Sequence, residues 1–268
     1  MSVAEPPSLH SINDIKLTLF SKVNIPIEIS NSMTGCVICP NGKMLLTDKS
    51  SKQNLVILNN DGTLDKVITC SPYYPHDVTL IDESTVAVST SGGIFIINIE
   101  TKRTERVIKT TDRCYGIAYY TGTLLLCEGS RGLNKMELSD GRITTLVEDD
   151  MLPPGSFVTT FGDKIFQTNH ANESVICYTI NGEKLWEFKD ESVMRLPAGV
   201  AVDYNCNIYV ISHYYNKVIV LSPDGKQWKQ LLDQNDGLIR PYAISIEKTT
   251  NKVLITNYDG RVFLYHTS

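Results

Sequence analysis

The chain has 268 residues, 42% hydrophobic and 21% charged, with a formal net charge of −5. No apolar run approaches the roughly 20 residues that cross a bilayer, which argues against an integral membrane protein. Mild acidity argues against a generic polyanion binder, whose affinity rests on Lys and Arg.

Residues 1–14 read as an N-terminal arm; they lack the basic region and apolar stretch of a secretory signal. Residues 15–23 alternate apolar and polar positions, the period of a half-buried strand. One unit then recurs along the chain. Its anchors are Gly35, Asp77, Gly116, Phe157, Gly199 and Ala243, spaced by 42, 39, 41, 42 and 44 residues. Each copy begins with a small apolar strand such as Val200-Ala201-Val202, and a tight turn leads to a dense apolar strand such as Ile208-Tyr209-Val210. A third strand follows, for example Val218-Ile219-Val220-Leu221. Asp61-Gly62, Asp140-Gly141, Asn181-Gly182 and Asp224-Gly225 then read as type I′ turns into a fourth strand. Helices should be nearly absent.

Four antiparallel strands per unit of about 40 residues predict an all-β, six-bladed propeller over residues 15–268. Copy six stops at its third strand, Arg261-Val262-Phe263-Leu264-Tyr265, so residues 15–23 are expected to complete that blade and close the ring.

The stretches Cys114-Tyr115-Gly116-Ile117, residues 197–203 (Pro-Ala-Gly-Val-Ala-Val-Asp) and residues 222–226 (Ser-Pro-Asp-Gly-Lys) carry a family likeness. With Asn207-Ile208-Tyr209-Val210 and Asn216-Lys217-Val218 they resemble NHL repeats. The whole chain is similar to the C-terminal propeller of TRIM-NHL (tripartite-motif) proteins, closest to the expanded bivalve and invertebrate TRIM-like families. That resemblance implies a substrate-recognition domain of the ubiquitin pathway. The zinc-binding RING of such proteins has no counterpart here. Cys36-Val37-Ile38-Cys39 is the one Cys-x-x-Cys, with no second pair at zinc-finger distance. It reads as buried strand cysteine. Seven scattered Cys, several within apolar runs, suit a reducing cytoplasm.

Loops on a rigid scaffold are where binding collects. The loops leading into blades and those leaving each second strand share one face. The strand-two exits are Asp48-Lys49, Thr90-Ser91, Glu128-Gly129, Asn169-His170, Ser212-His213 and Asn257-Tyr258, expected around the channel mouth. Tyr73, Tyr74, Tyr115, Tyr214, Tyr215, Tyr242 and Tyr258 gather on this face with Arg113, Arg131, Arg195 and Arg240. Tyr and Arg bury area with few rotors while keeping a polar handle. Tyr74, His76, Arg113, Tyr115, Glu128, His170, His213, Tyr214, Tyr242 and Tyr258 are therefore the candidate binding residues, for a protein or peptide, with no cofactor and no membrane contact expected.

Four other readings compete. RNA binding would need a basic stripe, and the cations of residues 102–113 are interleaved with Glu100, Glu105 and Asp112. A calcium lactonase or phosphotriesterase would need converging oxygens, for which Asp48, Glu128, Asn169 and Asn257 are available. A zinc lyase would use Pro-His-Asp lead-ins, met once at Pro75-His76-Asp77, with His170 and His213 equivalently placed in neighbouring blades. Glycan binding would favour an indole platform, but Trp186 and Trp228 fall on fourth strands.

Overall fold

The computed structural model describes residues 11–26, 28–30 and 32–268, so most of the expected arm lies outside the described residues. Strand β1 spans Leu17–Asn24. Blade one holds β2 (Met33–Ile38), β3 (Met44–Asp48), β4 (Asn54–Leu58) and β5 (Leu64–Thr69). Blade two holds β6 (Pro75–Leu80), β7 (Thr85–Thr90), β8 (Gly93–Asn98) and β9 (Arg103–Ile108). Blade three runs through β10 (Cys114–Tyr120), β11 (Thr123–Glu128), β12 (Gly132–Glu137) and β13 (Ile143–Val147). Blade four comprises β14 (Val158–Phe161), β15 (Lys164–Asn169), β16 (Ser174–Thr179) and β17 (Lys184–Phe188). Blade five comprises β18 (Pro197–Val202), β19 (Ile208–Ser212), β20 (Lys217–Leu221) and β21 (Trp228–Leu232). Blade six has β22 (Pro241–Glu247), β23 (Lys252–Asn257) and β24 (Arg261–Thr267), and β1 is its fourth strand.

The fold is thus six four-stranded antiparallel sheets arranged as a propeller, with two short 3-10 turns as its only helical pieces among the described residues. Burial follows the expected gradient. All five residues of β3 and of β19 are buried, because both faces of a second strand pack on neighbouring blades. The outer β9 exposes its first five residues. Ring closure is as the sequence implies: β1 runs antiparallel to β24, from Leu17 opposite Thr267 to Asn24 opposite Arg261. A bulge at Phe20 breaks the register, and that ring stacks on His266 with centroids 4.4 Å apart.

The recurrent glycine has a packing cause. A Cβ on Gly35 would lie 2.5 Å from the Asp77 Cα, and one on Gly116 would lie 2.5 Å from the Phe157 Cα. Gly199 meets Ala243 and Ile244 in the same way. Glycine in blades one, three and five therefore lets each inner strand seat against a side-chain-bearing residue of the next blade. Hydroxyls stitch the same joints. Thr47 Oγ1 donates to the His76 carbonyl at 3.1 Å, Ser89 Oγ to that of Tyr115, and Thr168 Oγ1 to that of Ala198 at 2.9 Å.

The outer hairpins differ from the expected type I′. Gly62, Gly141, Gly182 and Gly225 have φ of 85°, 76°, 90° and 70°, but the preceding Asp or Asn stays at negative φ. Type I′ needs both central residues positive. Instead Gly62 N donates to Asn59 O and Asn59 N to Thr63 O, a longer turn whose left-handed glycine makes a bulge. Register breaks at Ile57/Leu58 and Cys177/Tyr178 are its trace in the ladder.

All seven cysteines are free, and Cys206 alone is not fully buried. Burial pushes the Cys39, Cys70 and Cys114 thiols up to about 12. Burial raises the Cys206 thiol too, so its partial exposure rather than its acidity singles it out: the native protein at pH 8 should react slowly with a thiol reagent at Cys206 only, and at all seven after denaturation. Mass spectrometry of the labelled chain checks this.

Candidate functional site

The first residues of four strand-two exits, Asp48, Glu128, Asn169 and Asn257, bond to their own loops. Glu128 is fully buried; its carboxylate accepts the Asp112 N–H at 2.7 Å and the Asn134 amide at 3.2 Å. Asp48 accepts from Ser50 N at 3.0 Å, and Asn169 accepts from Asn172 N at 3.0 Å. Asn257 accepts from Ile239 N at 3.2 Å and donates to Gly237 O at 3.2 Å. Each group shapes its own blade's rim, so the four oxygens offered for a calcium site face separate turns. Buried polar groups must find partners, and these turns supply them.

One residue further along, the side chains turn toward the mouth. His170 and His213 each set Nδ1 on the carbonyl of the next blade's proline, Pro197 at 3.1 Å and Pro241 at 2.9 Å. A carbonyl only accepts, so Nδ1 carries the hydrogen in both and Nε2 is left as the lone-pair nitrogen. Burial lowers both imidazoles from their ordinary value, so the neutral form persists. Their centroids lie 6.5 Å apart, and His213 meets Tyr242 edge-on at 5.3 Å. Tyr242 in turn meets Tyr258 at 5.5 Å and Phe157 at 5.8 Å. Gly155 passes over this group so closely that a Cβ would come 3.0 Å from Tyr242 Oη.

Outward from this aromatic mouth, two guanidinium groups lie on tyrosine faces. Arg195 sits 4.8 Å from the Tyr214 centroid, and Arg240 sits 4.8 Å from that of Tyr258. Tyr214 is 57% exposed and touches Tyr215 edge-on at 5.4 Å. Leu196 and Arg240 precede Pro197 and Pro241, yet have φ of 47° and 51°. A residue before proline ordinarily takes extended backbone, and a left-handed non-glycine costs about 1–3 kcal/mol. Surrounding bonds hold the strained turn. Arg240 N donates to Asn216 Oδ1 at 2.6 Å and its carbonyl accepts from Tyr258 N at 2.9 Å.

Across the face, blades one to three frame a cleft of about 410 Å³. Tyr74, Tyr115, Pro72 and Pro154 line it together with Lys49, His76, Arg113 and Ser91. His76 meets Tyr115 edge-on with centroids 5.2 Å apart. Tyr115 is almost wholly buried, whereas Tyr73 and Tyr74 are 37% and 43% exposed.

The central channel, a cavity of about 300 Å³, is lined by the inner strands with Asp77 in its wall. The Asp77 carboxylate accepts Val78 N at 2.9 Å and Ile117 N of the next blade at 3.1 Å. Burial outweighs those two bonds and pushes this carboxyl up to about 8.

The candidate residues thus fall into two places. His170, His213, Tyr242 and Tyr258 meet around blades four to six, with Tyr214 outward of them against Arg195 and Tyr215, and Tyr74, His76, Arg113 and Tyr115 line the cleft. Glu128 joins neither. Lys49 was not foreseen as a site residue. It shares the register of His170, His213 and Tyr258, one position after each buried exit, and that equivalence was its available signal.

No protein-family profile and no curated protein matches this sequence. Solved structures do resemble it. A structural-genomics protein of unknown function from Bacteroides thetaiotaomicron aligns over 95% of this chain and 76% of its own, with TM-score 0.76 and 11% identity. Virginiamycin B lyase from Staphylococcus aureus aligns over 94% and 99%, with TM-score 0.67 and 15% identity. A chain of a nidogen/laminin complex aligns over 81% and 85%, with TM-score 0.69 and 16% identity. Likeness at such identities establishes the six-bladed propeller architecture.

Proposed function

We propose that this protein is a non-enzymatic recognition module that holds a protein partner on its loop face, as a TRIM-NHL-like substrate-recognition propeller does. The observation that carries the reading is the paired stacking of Arg195 on Tyr214 and Arg240 on Tyr258, on adjacent blades beside the Tyr242 mouth. Stacking pre-orders long side chains, which lowers the entropy lost when a partner binds. The strained backbone at Arg240 supports it, since such strain persists where surroundings over-determine it and clusters at binding sites. The likeness to a chain of a nidogen/laminin complex is compatible with protein binding. On the same reading the protein would act in the ubiquitin pathway of the cytoplasm, a setting with which seven free thiols are compatible.

Two of the five cations considered for RNA, on the outer edge of blade two, are engaged within the protein. Lys102 pairs with Asp65 at 2.8 Å and Arg106 donates to Leu138 O at 2.7 Å. A second reading, a propeller enzyme, is favoured by one feature: the two neutral imidazoles with free Nε2 lone pairs. Affinity capture compares the intact protein with a Tyr214→Ala/Arg240→Glu variant of unchanged Tm. Partners held by the first should be reduced at least tenfold on the second. Identical capture would reject the loop face as the recognition surface.

A further inference from the structure

The cleft between blades one, two and three holds basic groups that have no acidic partner. Lys49 and Arg113 line it together, and neither belongs to an ion pair among the described residues. The nearby carboxylates are engaged in their own turns: Asp112 accepts the backbone N–H of Arg113 at 2.7 Å and a bond from Ser130, Glu128 accepts Asp112 N, and Asp48 accepts from Ser50. Lys49 is half-buried. Desolvation first, and the Arg113 charge second, lower its pKa from the ordinary value. Like charges brought together out of water repel and cost stability unless an anion joins them.

A third group points the same way. His76 is 8% exposed, lines the cleft, and makes no side-chain hydrogen bond among the described residues. Its ring nitrogens are not among the fully buried unpartnered atoms, so they remain open to the cleft rather than sealed in the core. Burial, then Lys49 and Arg113, hold it down to about 3, so at neutral pH it is uncharged with one N–H to donate. Ammonium, guanidinium and imidazole N–H line one cleft whose lining includes no carboxylate. That complements a doubly charged oxyanion, which a phosphate monoester supplies with about −1.5 to −2 charge at pH 7.

The cleft is larger than an inorganic phosphate needs. Its volume of about 410 Å³ lies within the range of small-ligand pockets. Tyr74, Tyr115, Pro72 and Pro154 add apolar surface to the lining that holds the two cations. We infer that this cleft is a binding site for a phosphate monoester carried on an apolar or aromatic body, held by Lys49, Arg113 and His76. The site lies apart from the arginine–tyrosine stacks and stands without the protein-recognition reading.

Calorimetric titration of the full chain with phenyl phosphate and with inorganic phosphate tests it. Phenyl phosphate should bind at least tenfold more tightly than inorganic phosphate. Lys49→Met or Arg113→Gln should weaken phenyl phosphate tenfold or more, and Lys226→Met, on an exposed hairpin outside the cleft, should leave it unchanged. His76→Phe should weaken it with Lys49 and Arg113 intact. Three results would overturn the inference: no phenyl phosphate binding at millimolar concentration, equal loss in Lys226→Met, or equal affinity for the two phosphates. Thermal melts of each variant separate lost binding from lost fold.

Discussion

Removal of residues 1–24 is expected to abolish the folded monomer. β1 supplies the outer strand of blade six, with seven residue pairs along β24. At a net 0.5–1.5 kcal/mol per backbone hydrogen bond, that ladder contributes about 4 kcal/mol. Ile12 and Ile15, 3% and 6% exposed, pack into the core cluster that contains Tyr265. Burying two such side chains adds about 4 kcal/mol more. Lys229 Nζ donates to both Asn13 O and Ile15 O at 2.7 Å, fastening the segment to blade five as well. The combined loss, about 8 kcal/mol, approaches the whole stability of an ordinary domain. β24 would also become an open edge with unpaired N–H and C=O groups, a template for pairing with another copy. Size-exclusion chromatography should show aggregates or dimers in place of monomer. A synthetic peptide of residues 11–26 should restore the monomer by adding the missing strand. A truncated protein that stays monomeric, with Tm within about 3 °C of the intact chain, would disprove the closure's energetic role.

The propeller was legible because each blade repeats strong local signals at a nearly constant spacing. Dense runs such as Leu124-Leu125-Leu126 and Ile208-Tyr209-Val210 suit only strands buried on both faces. The closing strand could be read from a deficit, since Arg261-Val262-Phe263-Leu264-Tyr265 lacked a successor while residues 15–23 lacked a neighbour. The turn type was misread because Asp-Gly serves both type I′ hairpins and longer bulged turns, and loop register decides between them. The site was legible residue by residue but not as an arrangement. Glu128 looked like its equivalents His170 and Tyr258, yet it lies one position earlier and faces its own turn. Sequence periodicity ranks residues by register. It does not show that Lys49 of blade one and Arg113 of blade three face one cleft across blade two.

The protein should lose stability in opposite directions from neutrality through two neighbouring residues of β6. Asp77 is raised from an ordinary 3.8 to about 8. A group raised in the fold binds its proton more tightly there than in the unfolded chain. Its stabilisation is full below the unfolded value and is lost as pH rises through the folded one. Between pH 6.5 and 8 the intact chain should therefore lose about 1.5 kcal/mol relative to Asp77→Asn, at a limiting 1.36 kcal/mol per pH unit. His76 is lowered from 6.5 to about 3. Its unfolded form takes up the proton first, so stability falls as pH drops below about 6.5. Between pH 6.5 and 5 the intact chain should lose about 1.5 kcal/mol relative to His76→Gln. Each comparison reads a change with pH, so the fixed cost of each substitution cancels. The lowered His170 and His213 titrate equally in all three proteins, and stopping at pH 8 keeps the unfolded thiols largely protonated. Urea melts at three pH values give the differences directly. Parallel curves for the intact chain and Asp77→Asn from pH 6.5 to 8 would mean that the channel wall keeps this carboxyl ionised. The two backbone N–H groups of Val78 and Ile117 would then be holding its charge against burial.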